Sequence, residues 1–318
     1  MPLQPDVELV LQQMAAMGGA RISSLTPVQA REQMAQMGAL SAKFSGPPAP
    51  GITAEDRRIA GSAGADEIPV RIYTPDGATA PLPGLVYFHG GGWVVGSVPI
   101  YDRECRELVR QLGCVVVSVD YRLAPEHRFP AAVVDSIAAT RWVAKHAAEL
   151  GIDGQRLAVG GDSAGGNLAA VVAQELRNGG DTPALIGQLL IYPATDLAGD
   201  YASTKEPGIG LLHPEDAAWF LGHYLNGPAD RNDPRASPLR AASLAGLPAA
   251  VVVVCEYDPL RDEGKAYAAA LRAAGVPTTE LYFAGHIHGF FNFAAIIPSA
   301  RAAQEEICAA FRRILHKT

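Results

Sequence analysis

The sequence predicts an α/β fold: a mostly parallel central sheet flanked by helices and carrying a helical cap. Three observations point there. Short apolar runs at 85–88, 115–119, 157–160, 189–192 and 249–255 alternate with helical segments. Those runs lack polar alternation, as expected of strands buried on both faces. Two glycine-rich segments, His89-Gly90-Gly91-Gly92-Trp93 and Gly161-Asp162-Ser163-Ala164-Gly165, each follow such a run at a turn.

Taken in order, residues from about 5 to 45 read as helical. Leu9, Val10, Met14 and Met17 give one apolar face; Met34, Met37 and Leu40 give another after the start signal Ser23-Ser24-Leu25-Thr26-Pro27. Pro47-Pro48-Ala49-Pro50-Gly51 ends this region, and two strands are expected near 56–61 and 67–74. The runs at 85–88 and 115–119 follow. A helix over 131–150 stops at Gly151, and the run at 157–160 feeds Ser163. The helix over 164–177 stops at Asn178-Gly179-Gly180. The runs at 189–192 and 249–255 come next, then a strand over 280–283 and helices over 261–274 and 299–316. Residues 195–245 hold no expected strand, only turn residues and an amphipathic piece over 214–224. The expected organisation is an N-terminal helical cap segment over 1–50 and a main α/β domain over 51–318, with a cap insertion at about 195–245.

Composition narrows the function. The chain has 318 residues, 48% of them hydrophobic and 19% charged, so a large buried core is expected. A net charge of -7 argues against nucleic acid or an anionic membrane as the main partner. Cys105, Cys114, Cys255 and Cys308 form no C-x-x-C and no metal spacing with histidine, so free buried thiols and no metal site are expected. The start has no basic region followed by a long apolar one, and no apolar run reaches membrane-spanning length. A cytoplasmic protein without stable membrane association is the expectation.

The two glycine-rich segments carry the chemistry. Gly161-Asp162-Ser163-Ala164-Gly165 fits G-x-S-x-G, in which the central Ser sits on a tight strand-to-helix turn that the glycines make room for. The segment at 89–93 can offer free backbone N–H groups to an oxyanion. Together they imply acyl transfer to Ser163. Serine needs a base, and the base needs a group that fixes its tautomer. In chain order Ser, acid, His, the base is His286 or His288, in a glycine-bounded loop after the last strand, and position alone does not choose. The acid follows the run at 249–255. Asp262 and Glu263 open a helix, where acids suit the dipole, so Glu256 or Asp258 is better placed.

His89-Gly90-Gly91-Gly92, Asp120-Tyr121-Arg122-Leu123-Ala124-Pro125-Glu126, Gly161-Asp162-Ser163-Ala164-Gly165-Gly166, Asp258-Pro259-Leu260-Arg261-Asp262 and His288-Gly289-Phe290 carry a specific resemblance. The chain resembles the hormone-sensitive-lipase-like branch (bacterial family IV) of the α/β-hydrolase esterases. The resemblance implies Ser163 as nucleophile, Asp258 as acid and His288 as base. It implies an oxyanion hole from Gly91, Gly92 and the N–H of Ala164, and a cap from the N-terminal segment. His286 lies outside the pattern. The implied activity is hydrolysis of small carboxylic esters through an acyl-serine intermediate, with neither metal nor organic cofactor. Amide cleavage or deacetylation on the same site is the alternative. A non-catalytic receptor, as in the plant gibberellin receptors that resemble this family, is more remote, since those lack the catalytic histidine and His288 is present here. The resemblance also suggests a homodimer paired through the strand at 280–283.

The remaining residues read in structural terms first. His89 is expected to orient the glycine loop, Asp162 to hold the turn, and the segment 121–126 to brace the site. Met34, Met37, Trp93 and Trp219 are candidates for the substrate-pocket wall, weighed against ordinary packing; Phe220 and Tyr224 are divided in the same way. A cap built from about 45 N-terminal residues and one insertion suits acyl chains of about four to eight carbons, each buried CH₂ contributing roughly 0.8 kcal/mol until the pocket ends.

Overall fold

The computed structural model describes residues 2–47, 49–61, 67–79, 81–178 and 184–317. Pro48 and the expected helix stop at Gly179-Gly180 lie outside them.

Eight strands form one sheet: β1 (Ile52–Ala60), β2 (Glu67–Pro75), β3 (Leu82–Phe88), β4 (Val115–Val119), β5 (Ile152–Asp162), β6 (Gly187–Ile191), β7 (Ala249–Tyr257) and β8 (Thr278–Ile287). Their spatial order is β1-β2-β4-β3-β5-β6-β7-β8. Only β2 runs against the rest. β3 therefore lies between β4 and β5, and the turns that leave β3 and β5 sit side by side.

Successive strand residues point to opposite faces, and the unbroken apolar runs fill both. Val86, Phe88, Val117, Val159, Leu190 and Val252 belong to one core, beneath α4 (Ala131–Lys145), α5 (Ala164–Asn178) and α7 (Arg261–Ala273). Leu85, Tyr87, Val116, Ala158, Leu189 and Val251 belong to the other, beneath α3 (Asp102–Leu112) and α8 (Pro298–Leu315). α3 was not among the expected helices. Its buried residues are Cys105, Leu108, Val109 and Leu112, at helical spacing between charged neighbours. The last helix locks against it: the His316 imidazole Nε2 lies 2.7 Å from Leu112 O.

The N-terminal region breaks where its start signal falls. α1 (Pro5–Met17) gives way to a short 3₁₀ turn at Ile22–Ser24, and α2 (Pro27–Phe44) begins with a capping box. Thr26 Oγ1 accepts from Gln29 N, and Gln29 Oε1 accepts from Thr26 N. α1 docks on α8, where Asp6 accepts from Ser299 N and Oγ at 2.7 Å each. The turn instead meets α6 (Pro214–Tyr224), the helix of the 195–245 segment. Asp216 Oδ1 accepts from Ser23 N, and Trp219 Nε1 donates to Leu25 O. Among the described residues that segment has no strand, and no helix is long and apolar enough to cross a membrane.

Candidate active site

Ser163 occupies the single residue between β5 and α5, with φ of 55°. A side-chain-bearing residue in that region is strained, and such strain persists only where the surroundings enforce it. Here Ser163 N donates to Ile191 O at 2.8 Å. The flanking glycines are required by the passing end of β3. A Cβ on Gly165 would stand 1.8 Å from Phe88 O, and one on Gly161 2.4 Å from the same atom.

The loop after β7 and the end of β8 bring two side chains to Ser163. His288 Nε2 lies 2.9 Å from Ser163 Oγ, and His288 Nδ1 lies 2.8 Å from Asp258 Oδ2. An ionised carboxylate only accepts, so the proton sits on Nδ1 and Nε2 is free to accept from the serine hydroxyl. Asp258 Oδ1 accepts from Leu260 N at 2.8 Å, and Oδ2 also meets the buried Cys255 thiol at 3.5 Å. The histidine and the carboxylate are both buried, so water does not compete for their contact.

The other candidates have different partners. β8 runs to Ile287, so His286 lies within the strand rather than in the loop expected from the sequence. Its Nδ1 lies 3.1 Å from Ala284 O, and its ring packs edge-on against Phe283 and Phe290. Glu256 accepts from Gly285 N, and Asp262 pairs with Arg261 while accepting from Ser203 N. Glu263 is buried and accepts from Thr195 N at 2.6 Å and Asp196 N at 3.4 Å. Burial pushes its carboxyl up to about 8, against the two backbone donors.

The glycine loop that leaves β3 faces this group. Gly91 and Gly92 have φ of 114° and 57°. A Cβ on Gly91 would stand 2.2 Å from Val95 O, and one on Gly92 2.2 Å from the Phe220 ring. Ala164 opens α5, where the first N–H groups lack intrahelical partners and the dipole favours negative charge.

One buried carboxylate joins the glycine loop to the serine turn. Asp162 Oδ1 accepts from Gly90 N and Tyr87 Oη at 2.9 Å each; Oδ2 accepts from Asn292 Nδ2 at 3.1 Å and Tyr101 Oη at 3.3 Å. Burial raises this carboxyl above the ordinary value, while Asn292, Tyr87, His89 and Gly90 oppose the rise. His89 is fully buried, stacks on Tyr121 with ring centres 4.4 Å apart, and sits with Nδ1 2.7 Å from Gly90 O. Burial lowers its basicity. Tyr121 Oη donates to His89 O at 2.7 Å, and Asp135 holds Arg122 through both backbone and guanidinium.

The four pocket candidates divide. Trp93 is buried and stacks on Tyr224 with ring centres 4.2 Å apart and planes 5° apart. Trp219 joins the two parts of the cap through Leu25 O. Met34 packs at the edge of both cores, and Met37 is 40% exposed. Phe220, pressed on Gly92, is closer to the glycine loop than the sequence could indicate, because that contact spans more than a hundred residues of chain. Tyr192 (φ 36°), whose ring centre lies 4.6 Å from that of His288, and Asn292 carried no sequence signal. Among the described residues no three His, Cys, Asp or Glu side chains are grouped to hold a metal ion.

Comparison with known proteins agrees with this architecture. The model of an α/β-hydrolase-fold family matches residues 85–292. The carboxylic ester hydrolase LipN of Mycobacterium tuberculosis is 46% identical over 274 residues, covering 84% of this chain and 72% of its own. An ethyl acetate hydrolase of Pseudomonas putida is 38% identical over 304 residues, covering 94% and 95%. A hyperthermophilic esterase from the archaeon Pyrobaculum calidifontis superposes with a TM-score of 0.92 at 42% identity, over 99% of both chains. The sheet order, the turn under Ser163 and these matches across nearly the whole length agree: the chain belongs to the α/β-hydrolase family, in its hormone-sensitive-lipase-like esterase branch.

Proposed function

We propose that this chain hydrolyses small carboxylic esters through an acyl-Ser163 intermediate. The observation that carries the reading is the continuous line from Ser163 Oγ to His288 Nε2 at 2.9 Å and from His288 Nδ1 to Asp258 Oδ2 at 2.8 Å. We read the Gly91, Gly92 and Ala164 N–H groups as the oxyanion donors of that line. His288 takes the Ser163 proton as Oγ attacks the ester carbonyl, and the carbonyl oxygen becomes an oxyanion held by the three N–H groups. His288 then protonates the departing alcohol. It next activates the water that releases the acid and restores Ser163. Asp258 fixes the His288 tautomer and stabilises the imidazolium. No step calls for a metal or an organic cofactor.

The relatives support the substrate class, being named for ethyl acetate hydrolysis and arylesterase activity. Phe220 of α6, against Gly92, limits the room beside the oxyanion loop. Acyl chains of about four to eight carbons are therefore the preferred range, each buried CH₂ contributing roughly 0.8 kcal/mol until the pocket ends. The test is kcat/KM for aryl esters from acetate to palmitate, with wild type and Ser163→Ala. The expected result is a short- to medium-chain optimum and loss of essentially all turnover in the variant. Near-normal hydrolysis by Ser163→Ala rejects the mechanism. An optimum at palmitate, or activation by an oil–water interface, rejects the substrate range.

A further inference from the structure

Arg31 lies in the second turn of α2, outside the catalytic domain by sequence, yet its guanidinium reaches into the loops beneath the cap. Nε donates to Val94 O at 2.8 Å and Nη2 to Ala124 O at 2.8 Å. Nη1 and Nη2 also hold the Glu126 carboxylate at 2.8 and 2.6 Å. Both carbonyls belong to one braced unit. Val94 N and Val95 N donate back to Gly91 O at 3.1 and 2.9 Å, and Ala124 N donates to Trp93 O at 2.9 Å. Gly91 and Gly92 are thus held in a tight turn whose closing end, Val94, is gripped from the cap. Ala30, the preceding residue of α2, is buried in the same core as Trp93, Val94 and Val95. Most of the apolar residues on the rest of the helix face solvent, with Val28 58%, Met37 40% and Leu40 36% exposed.

We propose that Arg31 is a positioning residue that couples seating of the cap helix α2 to the geometry of the oxyanion loop. The inference rests on the reading of Gly91 and Gly92 as oxyanion donors. Such donors act because they are fixed before charge develops, and small misplacements are costly. Arginine suits the task because its planar fork serves two carbonyls and a carboxylate at once, which the single ammonium of lysine does not. The Arg31–Glu126 pair is half open to water, so it contributes little to stability by itself. A loss of rate beyond any loss of folded protein is therefore what distinguishes positioning from scaffolding. Arg31 holds the Glu126 carboxyl down at about 2, so the pair stays ionised across any practical assay.

The experiment compares wild type, Arg31→Met, Arg31→Lys, Glu126→Gln and Ser163→Ala in three measurements. These are kcat and KM on a soluble short-chain aryl ester, the rate of Ser163 phosphonylation by an aryl alkylphosphonate, and the melting temperature. Arg31→Met is expected to lower kcat about tenfold with KM changed less than about threefold, and to slow phosphonylation by the same factor. Arg31→Lys recovers part of the rate. Glu126→Gln, which leaves the Val94 and Ala124 bonds in place, loses less than Arg31→Met. The proposal is overturned if Arg31→Met keeps the wild-type kcat, if only its KM rises, or if its rate falls only in proportion to folded protein. Should Arg31→Met fail to fold, wild-type kcat in both Arg31→Lys and Glu126→Gln overturns it equally. Failure of the underlying reading looks different: wild type would then hydrolyse the ester no faster than Ser163→Ala.

Discussion

Replacing Asp162 with Asn tests whether the serine turn and the oxyanion loop behave as one unit. The carboxylate accepts four hydrogen bonds, from Gly90 N, Tyr87, Tyr101 and Asn292. An amide in the same place has one oxygen and turns an N–H₂ group toward donors. The two tyrosine hydroxyls can rotate to accept, and the Asn292 amide can flip to offer its oxygen, which turns its own N–H₂ toward a place with no acceptor. At least one buried donor then stays unsatisfied, at a cost of about 1–3 kcal/mol, partly offset because no charge is buried. The melting temperature should fall by a few degrees at most, since a chain of 318 residues shifts by no more than the roughly 2–4 °C per kcal/mol of domains of about 150–250 residues. The rate should suffer more than stability, because Gly90 N anchors the turn that presents Gly91 and Gly92. A kcat loss of about tenfold with little change in KM is expected, by the same positional argument. Asn292→Ala, which removes a single donor and leaves the carboxylate, is the milder companion and keeps the test open should Asp162→Asn fail to fold. The assays are thermal melting and steady-state kinetics on a short-chain aryl ester. Unchanged melting and unchanged kcat in both variants would refute the reasoning.

Four further outcomes are expected. His288→Ala should abolish nearly all turnover while His286→Ala is mild, because only His288 lies between Ser163 and Asp258; reversed phenotypes would reassign the base. Gly165→Ala should yield insoluble or inactive protein, since its Cβ would fall 1.8 Å from Phe88 O; a soluble, active variant would contradict the close approach of β3 to the turn. Glu263, raised from 4.5 to about 8 by burial, binds more protons folded than unfolded between those values, so its contribution to stability is lost as pH rises through them. Glu263→Gln keeps an oxygen for Thr195 N, so its melting temperature should fall less than that of wild type from about pH 5 to pH 8; parallel curves would show Glu263 ionised throughout. The resemblance and the position of β8 at the sheet edge favour a homodimer paired through residues 280–283, and light scattering that reports a monomer at all workable concentrations would remove that expectation.

The strands were legible because burial on both faces leaves the unbroken valine- and leucine-rich runs of β4, β6 and β7. α3 was just as legible in principle, with Cys105, Leu108, Val109 and Leu112 at helical spacing. Its interspersed charged residues break the stripe into single apolar positions, so the segment contains no apolar run. The choice between Glu256 and Asp258 was not readable from spacing. Four carboxylates within eight residues meet four different partners, and those partners come from distant strands and loops. His286 and His288 share a parity along the chain, and where β8 stops decides which one leaves the sheet. Trp93 could not be paired from the sequence with Tyr224, its stacking partner at the end of α6.

The strand order also bears on synthesis. β3 sits between β4 and β5, so the glycine loop and the Ser163 turn are already neighbours once the chain has been made through β5 and α5. Asp258 and His288 arrive only with β7 and β8, the last two strands. A nascent chain folding from its N-terminal side therefore carries the serine long before the base proposed to activate it. Hydrolysis would begin only once the far edge of the sheet has docked, and the appearance of esterase activity in a translation reaction would time completion of the sheet rather than formation of the nucleophile turn.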